Sequence, residues 1–183
     1  SAPSRGDWSA IRIYNDSNVI QNTLIRYGGY SSDGALVNTS SATLAHNVVE
    51  YSNHRGIYSG GDGATLEYNE VRNTTGTGIR VSGSNPSVAE NTIDNSSEVG
   101  LYYAGLGGTL SNNTLTNNTY GLRIAGSSPT VSGNTISGCD ALPLELWGTS
   151  IPTLTGNTFS DNTVQAVGVQ GTLVQDITWG PIQ

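Results

Sequence analysis

Apolar residues recur in this chain in a fixed frame. Asn22, Asn47, Asn69, Asn91, Asn113, Asn134 and Asn157 follow one another at intervals of 25, 22, 22, 22, 21 and 23 residues. Three positions before each stands Val19, Leu44, Leu66, Val88, Leu110, Val131 or Leu154; two positions after each stands Leu24, Val49, Val71, Ile93, Leu115, Ile136 or Phe159. A second apolar stretch lies about nine residues further on, as in Gly56-Ile57-Tyr58, Gly78-Ile79-Arg80-Val81 and Gly121-Leu122-Arg123-Ile124. Alternation over three or four residues predicts very short half-buried strands. Turn clusters such as Gly60-Gly61-Asp62-Gly63 and Ser127-Ser128-Pro129 separate them. A unit of ~22 residues cannot bury its apolar face alone, but units stacked at ~4.8 Å can. The frame therefore predicts an all-β solenoid, a single-stranded parallel β-helix of about 7–8 coils and roughly 35 Å in length. The seven Asn residues fall at a corner between inward apolar positions. Asn tolerates left-handed backbone there, and its amide can bond the same amide one coil away, which predicts an inward Asn ladder.

Composition agrees. Gly, Ser, Thr and Asn make up 85 of the 183 residues, and all four are mediocre to poor helix formers. No apolar run approaches the ~20 residues of a membrane-spanning helix. Disorder is opposed by a 35% hydrophobic content placed at regular intervals. The net charge of −7 argues against nucleic acid, which asks for a basic stripe. All seven cationic side chains are Arg. Cys139 is alone and reads as a small buried apolar residue rather than a nucleophile. No metal-ligand spacing and no cofactor motif stands out, so neither is expected.

Units such as Pro129-Thr130-Val131-Ser132-Gly133-Asn134-Thr135-Ile136 and Pro152-Thr153-Leu154-Thr155-Gly156-Asn157-Thr158-Phe159 resemble the right-handed parallel β-helix repeats of the pectate-lyase-like superfold. In particular they are similar to repeats of carbohydrate-binding proteins and sugar hydrolases. The resemblance covers about residues 10–178 and implies the right hand, which parallel crossovers also favour. It implies a carbohydrate-related role in a secreted or cell-surface protein, although one superfold hosts many activities. The family's hydrolase pattern (Asn-Thr-Asp, an Asp pair, Gly-His-Gly, Arg-x-Lys) is missing, and so is the Lys that a lyase base would use. His46 and His54 fall in no motif, and His46 reads as an outward surface position. Catalysis is therefore not expected, and no catalytic residue is assigned.

One outward file carries the candidate chemistry. The middle residue of the second apolar stretch points out, giving Arg12, Leu36, Tyr58, Arg80, Tyr102, Arg123, Glu145 and Gly168 coil by coil. Tyr58, Arg80, Tyr102, Arg123 and Glu145 form an aromatic and cationic stripe. It reads either as a self-stabilising cation–π ladder or as a track for an acidic polysaccharide or other glycan, with rings for sugars and Arg for carboxylate or sulfate. Glu50, Arg72 and Asp94 form a second file, read as a salt-bridge ladder. Thr92, Thr114, Thr135 and Thr158 form a third. The stretch Cys139–Pro152, with Trp147, breaks the frame and reads as a bulge or loop insertion. Asp176 falls in a ladder position of a last coil.

Residues 1–183 are thus expected to form one β-helix domain, a segment of a longer secreted or cell-surface protein whose ends pack on adjacent domains or another chain. The expected function is a non-catalytic rigid scaffold or adhesin with polysaccharide binding along the Tyr/Arg file. The alternative is the scaffold of a polysaccharide-degrading lyase or glycoside hydrolase whose reacting residues are not identifiable here.

Overall fold

A computed structural model of the chain describes residues 2–30 and 33–172. Asp176 lies outside the described residues.

Each coil contributes one strand to each of three parallel sheets. Sheet A runs from Ile11–Ile13 to Val167–Gln170 in eight strands; sheet B from Val19–Gln21 to Thr153–Thr155 in seven; sheet C from Leu24–Arg26 to Thr158–Ser160 in seven. Every strand pairs with its equivalent one coil away, never with its neighbour in sequence. The alternation sets the facing. Strands of sheets B and C place one residue inward and two outward, as in Thr65-Leu66-Glu67; strands of sheet A place two inward and one outward, as in Ile79-Arg80-Val81. The inward residues stack into files such as Leu44, Leu66, Val88, Leu110 and Val131, or Val49, Val71, Ile93, Leu115, Ile136 and Phe159, all buried in one continuous core.

The ladder is present. The Nδ2 of Asn47, Asn69, Asn91, Asn113 and Asn134 donates to the Oδ1 of the next Asn along the file, ending on Asn157, at 2.9–3.0 Å. The same Nδ2 also donates to a carbonyl of the coil before, as Asn91 does to Leu66 O at 2.9 Å. Each Oδ1 further accepts the backbone N–H of the preceding Asn, as Asn91 does from Asn69 at 3.0 Å.

Asn22 does not belong to this file. The register pairs Ile20 with Leu44 and Ile25 with Val49, so the ladder slot of the first coil is Thr23, whose N–H donates to Asn47 Oδ1 at 3.2 Å. Val19 and Leu24 accordingly point outward, 55% exposed each. The displacement has a local cause. The residue before each ladder slot is left-handed, with positive φ at Asn22, His46, Tyr68, Glu90, Asn112, Gly133 and Gly156. Asn tolerates that conformation better than most residues, so an Asn recurs there and mimics the ladder one position early. The ladder residues Asn47 to Asn157 are absent from the positive-φ set. They serve by side-chain hydrogen bonding, and the strained backbone belongs to their predecessors.

The bend after sheet C repeats the device. Tyr27, Tyr51, Asn73, Asn95, Asn117, Gly138 and Asp161 have positive φ. From the second coil on, the residue that follows faces inward: Ser52, Thr74, Ser96, Asn118, Cys139 and Asn162. Asn118 and Asn162 act as in the main ladder, donating to Ile93 O at 3.1 Å and Ile136 O at 3.2 Å. Cys139 fills a core slot here, and burial pushes its thiol up to about 11. The third bend, between sheets A and B, is tight at Gly61, Gly83, Gly105 and Gly171. A Cβ on Gly83 would overlap the carbonyl oxygen of Gly61.

The stretch 139–152 is no bulge. Leu144–Trp147 pairs with the strand before it in register, Leu122 with Leu144 and Ala125 with Trp147; the extra residues are taken up in the turns. At the first coil, residues 4–9 run along the outside of the second bend. Asp7 N–H donates to Tyr27 O at 3.0 Å and Trp8 Nε1 to Arg26 O at 2.8 Å. Arg5 reaches the carbonyl of Asn73 and lies 5.5 Å from the Tyr51 ring centre.

Candidate functional site

Sheet A's single outward position builds the candidate site. Strand pairing aligns Arg12, Val37, Tyr58, Arg80, Tyr102, Arg123, Glu145 and Gly168 in one file. Val37 takes the place expected of Leu36. Leu36 pairs with Ile11 and Ile57 and is wholly buried. The turn before this strand is longer, and the run Ala35-Leu36-Val37 offers no polar residue to mark which one takes the outer position, where Val37 is itself covered, 2% exposed.

The side chains interlock along the file. The Tyr58 hydroxyl lies 3.0 Å from Ser82 Oγ. The Arg55 guanidinium, from the preceding turn, sits 5.9 Å from the centre of the Tyr58 ring. Burial, and after it the charge of Arg80, holds Arg55 below its ordinary pKa. Arg80 lies 4.2 Å over the Tyr102 ring. At the far end Arg123 is enclosed: Tyr120 lies 4.6 Å on one contact and Trp147 4.3 Å on another, while Nε and Nη2 both reach Glu145 Oε2 at 2.6 Å. The Arg123 and Glu145 side chains are only 14% and 13% exposed. At the near end Arg12 is bonded to Asp33 at 2.9 Å, which raises its pKa.

Tyr120 and Trp147 were not singled out from sequence. Trp147 was legible in principle, since it stands two residues after Glu145 and alternation returns it to the outer face. Tyr103, beside Tyr102, is instead buried in the core. Its hydroxyl donates to Gly107 O, and burial pushes it up to about 12.

The second charged file lies on sheet C and is longer than expected. Arg26 joins it, and Glu50 accepts from both Arg26 and Arg72, the latter at 2.6 Å; Arg72 also pairs with Glu70. Burial pushes the Glu50 carboxyl up, but the two Arg hydrogen bonds outweigh it, and its pKa lies below the ordinary value. Asp94, in register with Arg72, makes no ion pair among the described residues and accepts from Thr116 at 2.7 Å and Asn117 at 2.8 Å. His46 lies flat against Tyr68, ring centres 4.9 Å apart. Among the described residues no three His, Cys, Asp or Glu side chains are grouped to hold a metal ion, and no helix is long and apolar enough to cross a membrane.

The family model for the right handed beta helix region matches residues 4–136 and 109–178. No curated protein and no solved structure gives a match.

Proposed function

Because the chain belongs to the right-handed β-helix family, we propose that it is a non-catalytic rigid module of a secreted or cell-surface protein, holding a glycan lengthwise on sheet A. The carrying observation is the outward file itself. It sets Tyr58, Arg80 and Tyr102 on successive coils with no backbone break between them. The coil repeat of ~4.8 Å is close to the length of one sugar unit in an extended chain, so each rung meets one unit. Rings offer apolar faces to sugars, and guanidinium offers paired donors to carboxylate or sulfate. A stacked core with an amide ladder at one bend keeps the rungs from shifting on binding, which lowers the ordering cost of association.

A glycan array followed by surface plasmon resonance tests this. Tyr102→Ala should weaken binding of the best array hit by about tenfold, or ~1.4 kcal/mol. A chain that binds no glycan, or binds equally well without the Tyr102 ring, removes the track. Release of unsaturated or reducing ends from uronate polysaccharides would mark an enzyme scaffold instead.

A further inference from the structure

Resting on that glycan reading, we propose that sheet A has one anion-binding rung, Arg80, and that the ligand is a glycan whose acidic units are separated by neutral ones. The file holds three guanidinium groups, and the structure disposes of two. Arg12 is bonded to Asp33. Arg123 gives both Nε and Nη2 to Glu145 and is shut between Tyr120 and Trp147. Among the described residues Arg80 makes no ion pair; its one contact of note is the Tyr102 ring at 4.2 Å.

The neighbouring rungs point the same way. Tyr58 below and Tyr102 above are neutral rings in register with Arg80. Two rungs above Arg80, at about 10 Å, the Arg123–Glu145 pair has no net charge to offer. A uniform polyuronate would set a carboxylate on every rung, against one cation able to receive it and a chain of net charge −7. A chain of alternating acidic and neutral units meets charge at Arg80 and rings at Tyr58 and Tyr102.

The test compares three oligosaccharide probes by calorimetry at physiological salt: a hyaluronan fragment, in which uronate alternates with a neutral sugar; an oligogalacturonate, acidic at every unit; and a neutral cello-oligosaccharide. The hyaluronan fragment should bind at least ~10-fold more tightly than either other probe. Arg80→Gln should abolish that preference. The double variant Arg123→Gln with Glu145→Gln, which removes the pair without stranding a charge, should keep it. If the oligogalacturonate or the neutral probe binds as well as hyaluronan, or the double variant loses as much as Arg80→Gln, the single-rung assignment is overturned while the glycan track stands. If none of the probes binds and the array is also blank, both fall.

Discussion

Replacing Asn91 by Ala isolates what the ladder contributes. Asn91 is wholly buried in the middle of the file. Its Nδ2 donates to Leu66 O at 2.9 Å, Ala89 O at 3.0 Å and Asn113 Oδ1 at 3.0 Å; its Oδ1 accepts the backbone N–H of Asn69 at 3.0 Å and the Asn69 amide at 2.9 Å. Truncation strands the Asn69 N–H and takes a donor from Leu66 O, both beyond the reach of water. A buried polar group left unsatisfied costs about 1–3 kcal/mol, so two such groups set the loss at about 2–6 kcal/mol. Asn157 makes fewer bonds and is half-buried, so water can replace part of what it gives. Its truncation should cost about 1–2 kcal/mol. Urea unfolding followed by circular dichroism reads the difference as a shift of midpoint at constant slope. Asn91→Asp, which cannot donate and buries a charge, should be at least as harmful as Asn91→Ala. Equal midpoints for Asn91→Ala and Asn157→Ala would refute the reasoning, since burial and bond number would then have no bearing.

Gly83→Ala should destabilise by roughly 3 kcal/mol or more, because its methyl meets backbone rather than a movable side chain; thermal unfolding near that of the wild type would contradict the close approach at this bend. The folded pKa of Glu50 is lowered, so its stabilisation is whole above the ordinary carboxylate range and is lost as pH falls through the folded value. Glu50→Gln should therefore flatten the acid side of a melting-temperature profile, and an unchanged profile would count against the Arg26–Glu50–Arg72 network. Glu90→Gly should raise stability by about 1 kcal/mol by relieving a left-handed backbone, less the bond from Asn112; a lower urea midpoint would mean that bond outweighs the strain.

The spacing of apolar residues was enough for the coil, the parallel stacking and the ladder, because each depends on a period repeated many times. Where the period is interrupted, sequence and structure part. Asn22 satisfied the composition of the ladder slot while occupying the left-handed slot before it, and Leu36 could not be told from Val37 in an all-apolar run. The second inward polar file was hidden for a different reason. Ser52, Thr74, Ser96, Asn118, Cys139 and Asn162 each stand five residues after a ladder Asn, but they share size and burial rather than a chemical group. In the candidate site the order of the file was legible and its pairing was not. That Arg123 is closed off, while Arg80 has no carboxylate partner among the described residues, depends on Trp147, Tyr120 and Glu145 meeting across two coils, which no linear spacing expresses.

The head-to-tail amides have one more consequence. Each coil's corner N–H is completed only by an oxygen from its successor, so a growing chain leaves the ribosome with its newest layer unfinished until another ~22 residues arrive. A rod of any size therefore bears the same terminal deficit, and each added turn lengthens it without enlarging that penalty. Duplication or deletion of a whole turn is thereby a small step in evolution, whereas a gain of half a turn would bring amide against leucine throughout the remainder of the stack.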